Sequence, residues 1–258
     1  MNKNWLFYTL LLLVITACST TQVPLTQQQE LPNLLKQGLT AHGGLAQWNK
    51  MHTLKYSIER NDKPEHHLID LKSRKVLLTH EDYKLGFDGK EVWVTPNLEA
   101  FGKGSPRFYH NLIFYFYAIP FVLADPGINY EVLPQKEIEG QQYNVLKISY
   151  QDGIGDAPDD YYIAHFNTTT NRMDWLLYTV TYYSGEKNEK YNALKFDWQE
   201  VNGLWVPSKM TGYKTKDGKI TDFRYSRLFK NVSITSEPAN SAIFEMPKGA
   251  AIDPLKQH

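Results

Sequence analysis

Four aspartates stand close together in the stretch DGIGDAPDD: Asp152, Asp156, Asp159 and Asp160. Clustered carboxylates suit a hard cation, so this loop is a candidate Ca2+ site. Its spacing is not the EF-hand pattern, which sets acids at every second position. The competing reading is a solvated hairpin loop in which Asp159 or Asp160 ties down a turn. Tyr109-His110-Asn111 is a second polar group, set at the start of a long apolar run. It lacks an evident nucleophile, and such groups more often satisfy strand ends or a neighbouring loop. The eight histidines carry no metal signature. His66 and His67 are adjacent in a strand-like stretch, so they point to opposite faces and cannot chelate together. His42 falls at the end of an expected helix, where an imidazolium would complement exposed carbonyls. No GxSxG, P-loop, HExxH or dinucleotide fingerprint occurs. The Ca2+ loop aside, no cofactor is implied.

The polar triplet opens the segment around which the chain is organised, SPRFYHNLIFYFYAIPFVLADPG (105–127). From Leu112 to Ala124 every residue but Pro120 is apolar or aromatic. Ser105 suits a helix N-cap and Pro106 the first helical position. Asp125-Pro126-Gly127 should end the helix, and Pro120 should kink it. The run is too short to span a bilayer, which takes roughly 20 residues. It has no polar face after Asn111, so it must be buried on nearly all sides or form one half of an apolar cavity.

Aromatic residues make up 14% of the chain, many of them tyrosines on strand-like stretches. That surplus suits a cavity with apolar walls and a few hydroxyls. The candidate lining is Trp48, Tyr109, His110, Phe114, Tyr117, Phe121 and Tyr162. In the plainer reading Phe108, Leu112, Phe116, Ile119 and Leu123 are ordinary core.

The chain begins MNKNWLFYTLLLLVITAC: a positive end at Lys3, an apolar stretch, then Thr16-Ala17. This is an export signal, assigned to residues 1–17 and excluded from the fold. Cys18 follows it and is the only cysteine. Ile15-Thr16-Ala17-Cys18 resembles the lipobox of bacterial lipoproteins. The resemblance implies cleavage before Cys18, a thioether-linked diacylglycerol there, and an acyl chain such as palmitate on the new N-terminus. It implies membrane attachment in the cell envelope, and Ser19 after the cysteine leans towards the outer membrane. A cysteine so used leaves no disulfide or thiol nucleophile. Residues 18–30 read as a lipidated flexible tether. Lys+Arg and Asp+Glu balance at 28 each, so no nucleic-acid footprint appears.

Residues 31–52 read as helix, broken by Gly43-Gly44 with a short piece carrying Trp48. From Thr53 the texture is strand: alternating runs separated by Asn61-Asp62, Asp88-Gly89, Glu139-Gly140, Ser184-Gly185, Asn202-Gly203 and Asp217-Gly218. Short turns make sequence neighbours spatial neighbours. The fold class is therefore mainly β with helices (α+β). We expect a curled antiparallel meander of about ten or eleven strands, forming an open or half β-barrel. The N-terminal and mid-chain helices should cover its concave face. Residues 31–247 read as a single domain and 248–258 as a frayed tail.

AHGGLAQWNKMHTLKYSI, followed by a meander with a mid-chain helix, resembles the outer-membrane lipoprotein-sorting proteins (the Lol-type carrier and receptor fold). FYHNLIFYFYAIPFVLADPGINY and DAPDDYYIAHF are similar to stretches of an uncharacterised family of predicted bacterial lipoproteins. The resemblance implies a concave sheet whose hydrophobic pocket accepts acyl chains beneath covering helices. The leading expectation is a non-enzymatic envelope lipoprotein that binds a lipid, acyl chain or other hydrophobic ligand. One alternative is an envelope enzyme using Tyr109, His110 and the Asp152–Asp160 loop on a small substrate. Another is a structural or partner-binding lipoprotein.

Overall fold

The computed structural model describes residues 30–151, 157, 159–183 and 190–255. The signal, Cys18, the tether before residue 30, Asp152, Asp156 and the Ser184-Gly185 turn lie outside the described residues. From Leu31 on, the chain forms one unit.

Helix α1 (Asn33–Ala41) and the short α2 (Leu45–Trp48) flank the Gly43-Gly44 turn where the sequence places it. Gly38 lets α1 lie directly on the sheet: a Cβ there would stand 2.3 Å from the Phe166 ring. Five strands follow: β1 (Thr53–Arg60), β2 (Lys63–Asp70), β3 (Val76–Thr79), β4 (Lys84–Phe87) and β5 (Val92–Thr95). After the one-turn α3 (Leu98–Phe101) comes α4 (Pro106–Ala118), the organising segment. Seven strands succeed it: β6 (Ile128–Ile138), β7 (Gln141–Tyr150), β8 (Tyr162–Asn167), β9 (Met173–Tyr178), β10 (Asn192–Val201), β11 (Leu204–Lys216) and β12 (Lys219–Leu228). β13 (Lys230–Thr235) and β14 (Ala251–Asp253) complete the order.

The fold is mainly β with few helices, as the alternation requires. The strands form two antiparallel seven-stranded sheets in place of one meander of ten or eleven strands. The first runs β13-β1-β2-β3-β4-β5-β14 and the second β12-β11-β10-β9-β8-β7-β6. The division falls at Phe229. There β12, paired with β11, gives way to β13, which crosses to β1. The hairpin turns match the sequence signals: Asn61-Asp62, Glu139-Gly140, Asn202-Gly203 and Asp217-Gly218 all hold the positive φ pairs of tight hairpins.

Two expectations are corrected. The mid-chain helix does not kink at Pro120; it stops at Ala118. The residue before a proline is pushed out of the helical region, and Ile119 is extended at ψ 141°. A 3-10 turn over Phe121–Ala124 then finishes the segment. The C-terminal tail also does more than fray. β14 pairs with β5, and its Asp253 reaches the start of α4.

Candidate functional site

The position of α4 is set at its N-terminus from two sides. The Ser105 hydroxyl caps it, accepting from the Phe108 N–H at 3.2 Å. The same hydroxyl donates to the Asp253 carboxylate at 2.6 Å, and the Arg107 N–H donates to that oxygen at 2.9 Å. A carboxylate beside unpaired N–H groups and the positive end of a helix dipole is doubly favoured. From the other side, the Tyr109 hydroxyl donates to Glu65 on β2 at 2.6 Å.

Glu65 is fully buried. It also accepts from His67 Nε2 at 2.7 Å and from the Tyr83 hydroxyl. Burial alone would raise its carboxyl. The hydrogen bonds and charge of His67, with the hydroxyls of Tyr109 and Tyr83, outweigh that and hold it down to about 2. Burial lowers His67 in turn, against the hydrogen bond and charge of Glu65, which raise it. The Arg60 guanidinium lies 3.9 Å from the Phe101 ring centre and 4.2 Å from that of Tyr109. It closes this buried polar cluster against α4. Period two from Ile69 back through His67 puts Glu65 on the inward face of β2. The period of β2 is therefore the sequence signal that marks Glu65.

The next residue, His110, turns away from that cluster by one helical step. It lines a cavity of about 440 Å3. That volume is the size of a small-molecule site and far exceeds the voids of ordinary core packing. Residues of α4 form one wall: Phe108, Leu112, Phe114 and Tyr115. Val76 and Phe87 come from the first sheet; Ile128, Tyr150 and Tyr162 come from the second. Val122, Pro126, Ala157 and Tyr182 complete the apolar and aromatic part. The charged and polar members are Arg74, Arg107, Asn111, Asp125 and Asp160.

Most of these polar groups are engaged. Arg74 Nη2 donates to both Asp125 oxygens at 3.0 Å. Asp160 accepts from the Thr181 N–H at 2.7 Å and the Thr179 hydroxyl at 3.1 Å, so it ties down a turn. Burial pushes Asp160 up to about 6 against those bonds. The Tyr115 and Tyr150 hydroxyls bond each other. His110 differs. It is 3% exposed, its ring stacks on Phe87 at 5.4 Å, and neither nitrogen has a hydrogen-bond partner among the described residues. Burial, with the nearby Arg107 charge and His67, pushes it down to about 3. It is a neutral imidazole with an unmet N–H and an unmet lone pair.

Of the seven candidate lining residues, His110, Phe114 and Tyr162 line the cavity. The other four lie elsewhere. Tyr109 is committed to Glu65. Tyr117 is fully buried and stacks on Tyr56 at 4.5 Å. Trp48 and Phe121 stack on each other at 4.5 Å. Phe108 and Leu112, assigned above to plain core, face the cavity instead. His42 is not the imidazolium expected at a helix end. It is buried, Nδ1 bonds the Gly38 carbonyl at 2.8 Å, and burial holds the ring down to about 4. Of the aspartate loop, only Asp159 and Asp160 are described. Among the described residues no three His, Cys, Asp or Glu side chains converge as metal ligands. Among them, too, no helix is long and apolar enough to cross a membrane.

A family model described as a family of unknown function (DUF6503) matches residues 101–223, just under half of the chain. That span holds α4 and both mid-chain stretches quoted above. No curated protein matches. Solved structures similar to the chain include a LolA superfamily protein from Nitrosomonas europaea, at 10% identity and TM-score 0.45. The match covers 76% of this chain and 89% of that one. A DUF1329 family protein from Desulfovibrio piger is similar at 13% identity and TM-score 0.45, over 81% and 97%. An outer membrane lipoprotein-sorting protein domain from Vibrio parahaemolyticus gives 13% identity and TM-score 0.33, over 78% and 93%. Lol-type proteins thus stand among the structural neighbours. What the cavity takes is decided by its own residues.

Proposed function

We propose that this protein is an envelope lipoprotein, anchored at the outer membrane through lipidated Cys18, that binds a lipid, acyl chain or similar hydrophobic ligand without chemical conversion. The two sheets act as the walls of an open half-barrel, with α4 as the partition that shapes the pocket. The observation that carries this reading is the 440 Å3 cavity walled by aliphatic and aromatic side chains from α4 and both sheets. An apolar space of that size favours an apolar occupant, at about 25 cal/mol per Å2 of surface removed from water. The test is native mass spectrometry of the full chain released from its membrane. The reading expects one lipid-sized adduct per chain, lost in Leu112→Trp, which puts an indole into the cavity. An adduct-free protein, or an adduct untouched by the substitution, contradicts it.

The enzyme reading has one observation in its favour: His110 and Asp160 line the same cavity. Its other member, Tyr109, is occupied by Glu65. A histidine held near 3 is a poor general base at neutral pH, since the useful value lies near the working pH. The binding reading therefore stands ahead of it.

A further inference from the structure

The exposed apolar side chains gather at one edge of the molecule. Of the eight large hydrophobic residues left exposed among the described residues, five stand around the edge strand β14: Tyr183, Ile243, Met246, Ile252 and Leu255, each 39–53% exposed. Ile252 pairs with Trp93 on β5. The Trp93 indole donates to the Phe244 carbonyl at 3.3 Å, which sets Ile243 and Met246 beside that pair. Asp253, next in β14, accepts from Ser105, and the Ser105 hydroxyl lies 3.0 Å from that of Tyr182. Tyr183 follows, with its ring 5.1 Å from that of Phe108. Phe108 and Tyr182 both line the cavity, so the apolar edge runs into the rim of the pocket. Single exposed apolar residues need no explanation, but a gathered set marks an interaction surface.

Resting on the binding reading above and its lipid anchor, we infer that this edge, from Tyr183 across β14 to Met246, is the face that the protein lays on a lipid bilayer, with the pocket opening towards the membrane. Aliphatic side chains beside a tyrosine suit the boundary between acyl chains and head groups, where the ring is buried and the hydroxyl stays wet. The exposed charges of the flanking segments are Glu99, Lys103, Glu245 and Lys248. They are two of each sign, so the face complements a zwitterionic surface and needs no anionic lipid. The tether of residues 18–30 spans at most about 40 Å when extended, which keeps the bilayer within reach of the domain. A ligand that leaves the bilayer at this edge keeps its acyl chain out of water on the way to the pocket.

The test uses the full chain, purified from its membrane and reconstituted in phosphatidylcholine vesicles, with a fluorescent noncanonical amino acid placed in turn at Ile243, Leu255 and Phe223. Phe223 is also exposed, but it lies on β12, which abuts β1 towards the other end of the first sheet. Lipids brominated in their acyl chains quench only a group that enters the bilayer. We expect loss of most of the emission at positions 243 and 255 and little at 223. Added salt should change nothing, since the face carries no net charge. Met246→Glu combined with Ile252→Glu should reduce the loss at 243 to the level at 223. Equal quenching at the three positions, quenching at none, quenching abolished by salt, or quenching that survives the double substitution overturns the docking face. So does a group at 255 that lipid leaves unquenched and that only an added envelope protein or a second copy of this chain shields. Each of these results leaves the pocket reading standing, because the lipid adduct of the unsubstituted chain is scored apart from which face meets the bilayer.

Discussion

The Tyr109 hydroxyl donates to the Glu65 carboxylate at 2.6 Å, so a helix facing a cavity is tied to the sheet by a fully buried acid. Tyr109 looks into that acid's cluster, and His110, one residue on, looks into the pocket. The first contact fixes the second residue's position, because a helix turns both together.

Glu65→Gln should destabilise the fold by about 3–4 kcal/mol, since three donors would face an amide in place of a buried charge. Tyr109→Phe alone should cost about 1.5–3 kcal/mol, the worth of a hydrogen bond to a charged group. In the Glu65→Gln background the tyrosine substitution should cost clearly less, because the two residues act through one contact. Urea unfolding of the four proteins gives the answer; additive losses would show that the contact contributes nothing.

Acid should act through the same carboxyl. Its folded value of about 2 lies below the ordinary 4.5, so between those values the unfolded chain holds more protons. The contribution, about 3 kcal/mol, is present above pH 4.5 and is lost as the pH falls towards 2. Glu65→Gln should lack this loss in denaturation curves taken across that range.

His110→Leu should make the unliganded protein more stable at pH 7, by about 1–2 kcal/mol, because it removes two unpaired buried polar atoms. The melting temperature should rise by about 2–8 °C. The ring's folded value of about 3 lies below the ordinary 6.5. Its neutral burial therefore adds a stability dependence of about 1.4 kcal/mol per pH unit, lost as the pH falls from 6.5 towards 3. The variant should show a slope smaller by one proton over that window. A less stable variant with an unchanged slope would mean that the imidazole is satisfied in the fold.

The start of α4 was legible in Ser105-Pro106, and the tight hairpins were legible in their Asn-, Asp- and Glu-Gly or Asn-Asp pairs. The end of α4 was misread because Asp125-Pro126-Gly127 is the louder signal, whereas Ile119-Pro120 stops the helix first. The split into two sheets was hidden because KITDFRYSRLFKNVSI holds no glycine or proline; its marks are only the adjacent Leu228-Phe229, where the apolar phase changes, and Asn231, whose φ is positive. The partners of α4 decide which of its aromatics face the cavity. Phe114 and Tyr117 are equally apolar in sequence, yet one meets Arg74 at 5.2 Å and the other meets Tyr56. Glu65 was legible through the period of β2, but an acid in a strand is ordinarily read as facing water.

Asp253→Ala should loosen the start of α4, removing a carboxylate that accepts from Ser105 and from the Arg107 N–H. The expected cost is about 2 kcal/mol, or about 4–8 °C in melting temperature. Hydrogen exchange should rise first in the opening turn of α4. Unchanged protection there would make the link from β14 to α4 incidental.

The central claim is that the cavity beside α4 holds a hydrophobic ligand in the living envelope. Its most direct test is a photo-crosslinking amino acid placed at Phe114, which lines the cavity, and separately at Tyr117, which is buried away from it. After illumination of intact cells, mass spectrometry of the full chain should find a lipid adduct at position 114 and none at position 117. Adducts at neither position, or equally at both, would contradict the account.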